Sequence, residues 1–454
     1  MENRYEKYPK WMEKKEFMDK PDWRGLMGEA PDWYRDMKFG LFFHWGPYCV
    51  PGFQNEWYSR NMYMTGTPEN THHVGKYGPV KEFGYKEFYN GMTGEAFDPE
   101  EWAELVVRSG AKYAGPVTEH ADNFSMWDSA VNPVNCKNYG PKRDILGECA
   151  RAFRNRGIRL SASFHHQWLW GWFMSTDPEA DVYVPGNEVY YGPALPLETG
   201  RMYPYRLPDS QFCDVWLQKV SEVIDRYSPD ILYFDSRTCI IGEEYRYRAA
   251  SYFYEKKGRE NGVITYKGED FPPGTAILDV ERGHFEQATP FVWQTDDRLE
   301  DNITWCYVNP PRYRKAEDVI HQLIRCVAHN GSLLLNVGPD ARGAFPPEAK
   351  RTLYEIGGWL SVNGEAIYRT RPWKTTEEEN CCFTQSEKGV YAIFFKWPDQ
   401  GELILRSFNE PGIRQVRLLG CELQLTFSST PEGLKIILPK KKPCKHAWTV
   451  SVCF

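Results

Sequence analysis

Ile231-Leu232-Tyr233-Phe234 is an unbroken apolar run that stops on a carboxylate, Asp235. A strand with apolar side chains on both faces is buried on both, which is the situation inside a parallel sheet wrapped by helices. The segment before it carries Phe212, Val215, Trp216, Val220, Val223, Ile224 and Tyr227 on one helical face and stops ahead of Pro229. A strand of this kind preceded by such a helix needs further parallel strands beside it. The chain supplies them.

Strand-like and helix-like segments alternate to about residue 370. Strands are expected at 37–45, 112–118, 159–165 and 231–235, more weakly at 262–266, 276–280 and 291–294, and again strongly at 332–337. Between them, the helix at 99–109 is opened by Asp98 and Pro99 and closed at Gly110, and the helix at 145–156 is closed by Gly157. A third, at 316–330, turns Val319, Ile320, Leu323, Ile324 and Val327 inward ahead of Gly331, and a fourth covers 347–362. Eight strands alternating with helices predict an α/β fold, a (β/α)8-like (TIM-type) barrel over residues 1–372. No GxGxxG or GxxxxGK[ST] loop comes after any strand, which argues against a doubly wound nucleotide-binding sheet. After Trp373 the pattern changes to short alternating runs at 390–395, 403–408, 416–419, 434–438 and 448–454, predicting a C-terminal β-sandwich over 373–454. The irregular stretches 51–95 and 168–207 come after strands and are expected at the barrel's functional face.

Bulk properties remove several function classes. With 55 basic and 62 acidic residues the chain of 454 has a net charge of −7, which disfavours a polyanion partner such as nucleic acid. Residues 1–20 are rich in Lys and Glu without an apolar core, so no secretory signal is expected, and no run is long enough to cross a membrane. The 12 cysteines include no CxxC pair and mostly sit in apolar segments, the usage expected of reduced thiols in a cytoplasmic protein. Aromatic residues make up 15% of the chain. Trp168, Trp170 and Trp172 stand in a loop-like stretch, where flat apolar faces suit the C–H faces of a sugar.

The strand ends carry the chemistry. The first ends in His44-Trp45, with Glu56-Trp57 shortly after; the second in Glu119-His120-Ala121-Asp122; the third in His165-His166; the fourth in Asp235; the sixth in Asp279-Val280-Glu281. Imidazole, carboxylate or indole thus recurs at one end of five strands, the end where barrels build their sites. On the third strand, Leu160, Ala162 and Phe164 alternate with Ser161, Ser163 and His165, so His165 is expected to point into the barrel mouth. The absence of HExxH or H-x-x-x-H spacing argues against a metal site, and no cofactor is expected.

These residues sit in longer motifs. The stretch 38–48 through Glu56-Trp57-Tyr58, the segment 111–129, Pro229 to Asp235, and 330–339 with 358–368 together resemble the α-L-fucosidases of glycoside hydrolase family 29, over nearly the whole length. The resemblance implies a barrel followed by a β-sandwich and retaining exo-hydrolysis of terminal α-L-fucosyl linkages on oligosaccharides or glycoconjugates. It assigns Asp235 as nucleophile and leaves Glu281 as acid/base with Glu286 as the alternative. His44, Glu56, Trp57 and His120 would hold the sugar, with His165 and Trp45 as further candidates. Two departures stand out: Ala121 replaces the family's second adjacent histidine, and Ser163-Phe164-His165 replaces its Tyr-Tyr-Ser. An α-L-galactoside or a modified fucose is therefore an alternative substrate, and a catalytically silent sugar-binding protein is the alternative of a different class.

Overall fold

A computed structural model describes residues 21–197, 206–408 and 411–454. The amino-terminal stretch without a secretory pattern and part of the 168–207 loop lie outside them. Eight parallel strands close into a barrel in chain order: β1 (Phe39–Phe43), β2 (Tyr113–Glu119), β3 (Arg159–Phe164), β4 (Ile231–Phe234), β5 (Val263–Lys267), β6 (Ile277–Asp279), β7 (Trp293–Arg298) and β8 (Gly331–Asn336). Closure is made by β8 pairing with β1, Phe42 opposite Asn336.

The alternation of side chains sorts the core into two populations. Phe42, Tyr113, Val117, Ile231, Tyr233, Val263 and Leu334 fill the barrel interior together with Tyr34. Phe43, Leu160, Ala162, Phe164, Leu232, Phe234, Leu333 and Leu335 belong to the larger core shared with the helix layer. Ile231 and Tyr233 therefore face inward, and Asp235, next in that phase, stands over the barrel axis at the carboxyl end of β4. The helix Ser210–Tyr227 that leads into β4 is capped by Asp209, which accepts from the Phe212 amide at 2.9 Å.

Several elements depart from expectation. β5 runs on to Lys267 and β7 to Arg298, beyond the apolar segments that mark them in the sequence. The stretch 51–95 contains a helix, Pro68–Tyr77, capped by Thr67, and a further helix, Glu243–Lys257, joins β4 to β5. In β2 the register with β3 shifts between Val117 and Glu119, one residue after Pro116. Such a bulge re-aims the side chains beyond it. Glu119 turns into the layer behind β2, where its oxygens accept from Lys219 Nζ at 2.9 and 3.0 Å, and His120 faces the barrel mouth instead.

The C-terminal strands form a five-stranded and a three-stranded antiparallel sheet around Trp373, Phe383, Leu405, Ile436 and Val450. The first strand of the sandwich begins at Arg371, whose guanidinium reaches Asp36 at 2.7 Å and ties the two units together. Strands at Cys381–Ser386 and Thr426–Thr430 add to those expected.

Gly40, on the inward phase of β1, leaves room for the Tyr113 ring: a Cβ there would lie 2.3 Å from it. Gly40→Ala is expected to cost about 1–3 kcal/mol through overpacking, seen as a lower urea midpoint at unchanged slope.

Candidate active site

A cavity of about 190 Å³ opens at the carboxyl ends of the strands. His44, His120 and His165 form one side, Trp57, Trp168, Trp172 and Trp305 supply indole walls, and Asp235, Lys267, Glu281 and Asp296 make the charged floor, with Glu56, Ala121 and Ser236 completing the lining.

Lys267 organises the floor. Its ammonium lies 3.0 Å from Asp235 Oδ1, 2.9 Å from Glu281 Oε2 and 2.9 Å from Asp296 Oδ2, and the residue is almost wholly buried. Burial by itself disfavours the charged amine, but the three carboxylates hold its pKa well above the usual lysine value. Asp235 is the reciprocal case. Burial acts to raise its pKa, and Lys267 and His165 outweigh that and hold it well below the ordinary carboxylate range. Its second oxygen lies 3.1 Å from Trp168 Nε1 and 3.3 Å from His165 Nδ1, so donors surround the anion on both oxygens. Beneath it the polar contacts continue down the barrel axis. Tyr233 donates to Asp296 Oδ2 at 3.1 Å, Gln294 donates to Asp279 Oδ2 at 2.5 Å, and Gln294 Oε1 accepts from Tyr113 and Tyr34. Burial and the neighbouring Asp296 raise Asp279 well above the usual carboxyl range.

The imidazoles are oriented from behind. Asn336 donates through its amide nitrogen to the Trp305 carbonyl at 2.5 Å, which leaves Oδ1 to accept from the His44 backbone N–H at 3.1 Å and from His44 Nδ1 at 2.7 Å. That network fixes the proton of His44 on Nδ1 and leaves Nε2 as an acceptor. In His165 the carboxylate of Asp235 likewise draws the proton to the nitrogen facing it, and its Nε2 is buried with no protein hydrogen-bond partner. His120 Nδ1 is also without one. Burial, then His165, pushes His44 down to about 3, and His120 is lowered well below the usual histidine value for the same reasons. One nitrogen from each ring lies within 4.8 Å of the other two, so these are the lining residues equipped to hold a metal ion. Glu56 Oε2 accepts from the Trp305 amide at 2.8 Å, and burial raises its pKa to about 7.

Most of the candidates from sequence meet here: His44, Glu56, Trp57, His120, His165, Asp235 and Glu281 all line the one cavity. Trp45 does not. Because His44 faces inward, Trp45 faces the helix layer, buried between Phe97 and Trp102 at ring distances of 5.3 Å, so its role is packing. Glu286 also stands outside, with its side chain 93% exposed beside His284, whereas Glu281 lines the cavity. Of the loop tryptophans, Trp168 and Trp172 face the cavity whereas Trp170 packs on Phe212. Lys267, Asp296 and Trp305 are not among the sequence candidates. The first two lie on polar extensions of strands, past the point where the apolar signal ends.

Carboxylates gathered between indole walls on the catalytic face of a barrel are the equipment of enzymes that cleave glycosidic bonds. A family model described as alpha-L-fucosidase matches residues 10–365, and one for the alpha-L-fucosidase C-terminal domain matches residues 374–452. The chain belongs to the alpha-L-fucosidase family of glycoside hydrolases. Tissue alpha-L-fucosidases of Rattus norvegicus and Homo sapiens are each 30% identical to it over 95% of its length, covering 92% and 91% of their own. The crystal structure of a Thermotoga maritima alpha-fucosidase in complex with fucose matches with a TM-score of 0.78 at 27% identity, over 96% of this chain and 100% of that one.

Removing the ammonium tests the electrostatics of the floor. In Lys267→Met the burial of Asp235 is no longer offset by a cation, so its pKa rises, and the acid limb of the kcat/KM profile is expected to move to higher pH. An acid limb that stays in place would count against Lys267 as the group that holds Asp235 ionised.

Proposed function

We propose that the protein is a retaining exo-α-L-fucosidase in which Asp235 attacks the anomeric carbon and Glu281 serves as acid and then base. One observation carries this reading: Asp235 and Glu281 contact the same ammonium at 3.0 and 2.9 Å, so their nearest oxygens are no more than about 6 Å apart. Retaining enzymes space the pair about 5–5.5 Å apart, and inverting enzymes need roughly 6.5–9.5 Å to admit a water.

In the first step a carboxylate oxygen of Asp235 bonds to C1 while the glycosidic bond breaks, and the proton on Glu281 passes to the departing oxygen. Asp235 loses its charge as Glu281 gains one, so the total negative charge facing Lys267 is unchanged across the step. In the second step Glu281 takes a proton from water, which attacks C1 and releases Asp235. His44, His120 and His165 present ring nitrogens to the sugar hydroxyls, and Trp57, Trp172 and Trp305 take the apolar faces and the C6 methyl. The small cavity suits a single terminal ring, since pockets for larger, drug-sized ligands run to roughly 300–1,000 Å³.

The departures on β2 and β3 read as one exchange. Ala121 and His165 line the same cavity, and the His165 ring lies 4.9 Å from that of His120, so the third strand supplies the imidazole that the second lacks. This supports a fucose-like glycone. An α-L-galactoside, which adds only a hydroxyl at C6, should then be disfavoured by about 10²-fold or less in kcat/KM. All 12 cysteines are unpaired, which supports action in a reducing compartment such as the cytoplasm.

The test is hydrolysis of an aryl α-L-fucoside. Asp235→Ala should lose about 10⁴-fold or more in kcat. Glu281→Ala should regain turnover with azide and give the α-configured fucosyl azide by NMR. Wild-type activity in Asp235→Ala, or a β-configured product from wild-type methanolysis, would overturn the mechanism. Fucose binding without any wild-type turnover would identify a silent sugar-binding protein instead.

A further inference from the structure

Three imidazoles from consecutive strands meet in the cavity, and their arrangement does more than line it. The ring centres of His44, His120 and His165 are 5.6, 5.5 and 4.9 Å apart. An ion bonded to an imidazole nitrogen at about 2.1 Å lies roughly 3.2 Å from that ring's centre. A triangle with these sides has a point at about that distance from all three corners.

The nitrogens are also prepared. His44 has its Nδ1 turned to Asn336 and His165 has its Nδ1 turned to Asp235, so Nε2 is the free nitrogen of each. Metal-ligating imidazoles are held in this way, with the far nitrogen donating to a carboxylate or an amide oxygen that fixes the tautomer. His165 Nε2 and His120 Nδ1 are buried without a protein partner. The fourth position is the open cavity, as in three-ligand sites that keep room for a water.

We infer that His44, His120 and His165 form a binding site for a divalent transition-metal ion of the zinc class, seated where the sugar would bind. Neutral nitrogen donors favour Zn²⁺, Co²⁺ or Cu²⁺ over Mg²⁺ and Ca²⁺, which require oxygen. The charges nearby permit it, because the Lys267 ammonium facing the same cavity is offset by Asp235, Glu281 and Asp296. The ion would exclude the sugar, so zinc is an inhibitor competitive with the glycoside. That last consequence rests on reading the cavity as the sugar site; the metal site does not.

The test is calorimetric titration of the chelator-stripped full chain with ZnCl₂, alongside the absorption spectrum with Co²⁺. The expected result is one ion per chain, visible bands of a nitrogen-ligated tetrahedral cobalt site, and at least about a 100-fold loss of affinity in both His120→Ala and His165→Gln. Far-UV circular dichroism and thermal midpoints establish that the variants fold. L-Fucose should displace the metal. No saturable binding, binding that survives in both variants, or a near-ultraviolet cobalt–thiolate band would overturn the site. Zinc held through the imidazoles but indifferent to L-fucose upholds the metal site and overturns the sugar-pocket reading instead.

Discussion

The contact on which the catalytic face depends is the ammonium of Lys267 held among Asp235, Glu281 and Asp296. A lone buried cation or anion costs several kcal/mol of desolvation even after relaxation, so Lys267 and Asp235, both buried, would not persist there ionised without each other. The cluster also couples layers of the barrel. Asp296 stands on Tyr233, Asp279 on Gln294, and Gln294 on Tyr113 and Tyr34, so the floor of the cavity continues a hydrogen-bonded column rather than resting on an apolar plug. Fully connected, such a column is rigid and specifies side-chain positions; with one partner missing, it becomes a source of strain. The geometry that brings Asp235 and Glu281 to one ammonium is therefore maintained by electrostatics inside the barrel, with the loops above adding the walls.

A second buried charge group sets the other side of the cavity. Glu119 accepts from Lys219 and contacts His166, both behind the barrel wall, and Lys219 also reaches Asn123 at 2.9 Å. Lys219 projects from the helix that precedes β4, so the same element that delivers Asp235 anchors the end of β2. The register shift after Pro116 makes this possible. A strict alternation would send Glu119 into the cavity and His120 out of it. The bulge exchanges them, placing the His120 imidazole against the cavity and the anion against its lysine.

How much of this is legible in sequence depends on which signals are local. The barrel is legible because each strand buried on both faces writes a short apolar run and each covering helix a stripe. His44, His120, His165 and Asp235 are legible because they end such runs. Trp45 is misplaced by one residue of phase: adjacent positions on β1 face opposite ways, and His44 takes the inward one. Lys267 and Asp296 escape because β5 and β7 run past their apolar residues into Tyr-Lys and Thr-Asp-Asp-Arg, which carry no hydrophobic signature of a strand. The helix Glu243–Lys257 escapes because its aromatic and charged residues form no clear stripe. The histidine cluster is of another kind again. Its members are 76 and 45 positions apart and become neighbours through the lateral pairing of β1, β2 and β3, which no spacing motif records.

Unpartnered nitrogens in the cavity explain why a pocket so polar is built with so few exposed charges. A buried donor or acceptor left without a partner costs roughly 1–3 kcal/mol, and His120 and His165 each carry one. On the proposed reading, hydroxyl groups of a bound sugar would meet these nitrogens. Asp235 is held well below the ordinary carboxylate range, against its burial, by Lys267 and His165 together. On the proposed reading, His44 and His120, whose pKa values burial depresses, would meet sugar hydroxyls as neutral rings, while Lys267 and His165 set the field at Asp235. The proposed metal site would use the same ring nitrogens, so affinity for sugar and affinity for metal would come from one choice of side chain.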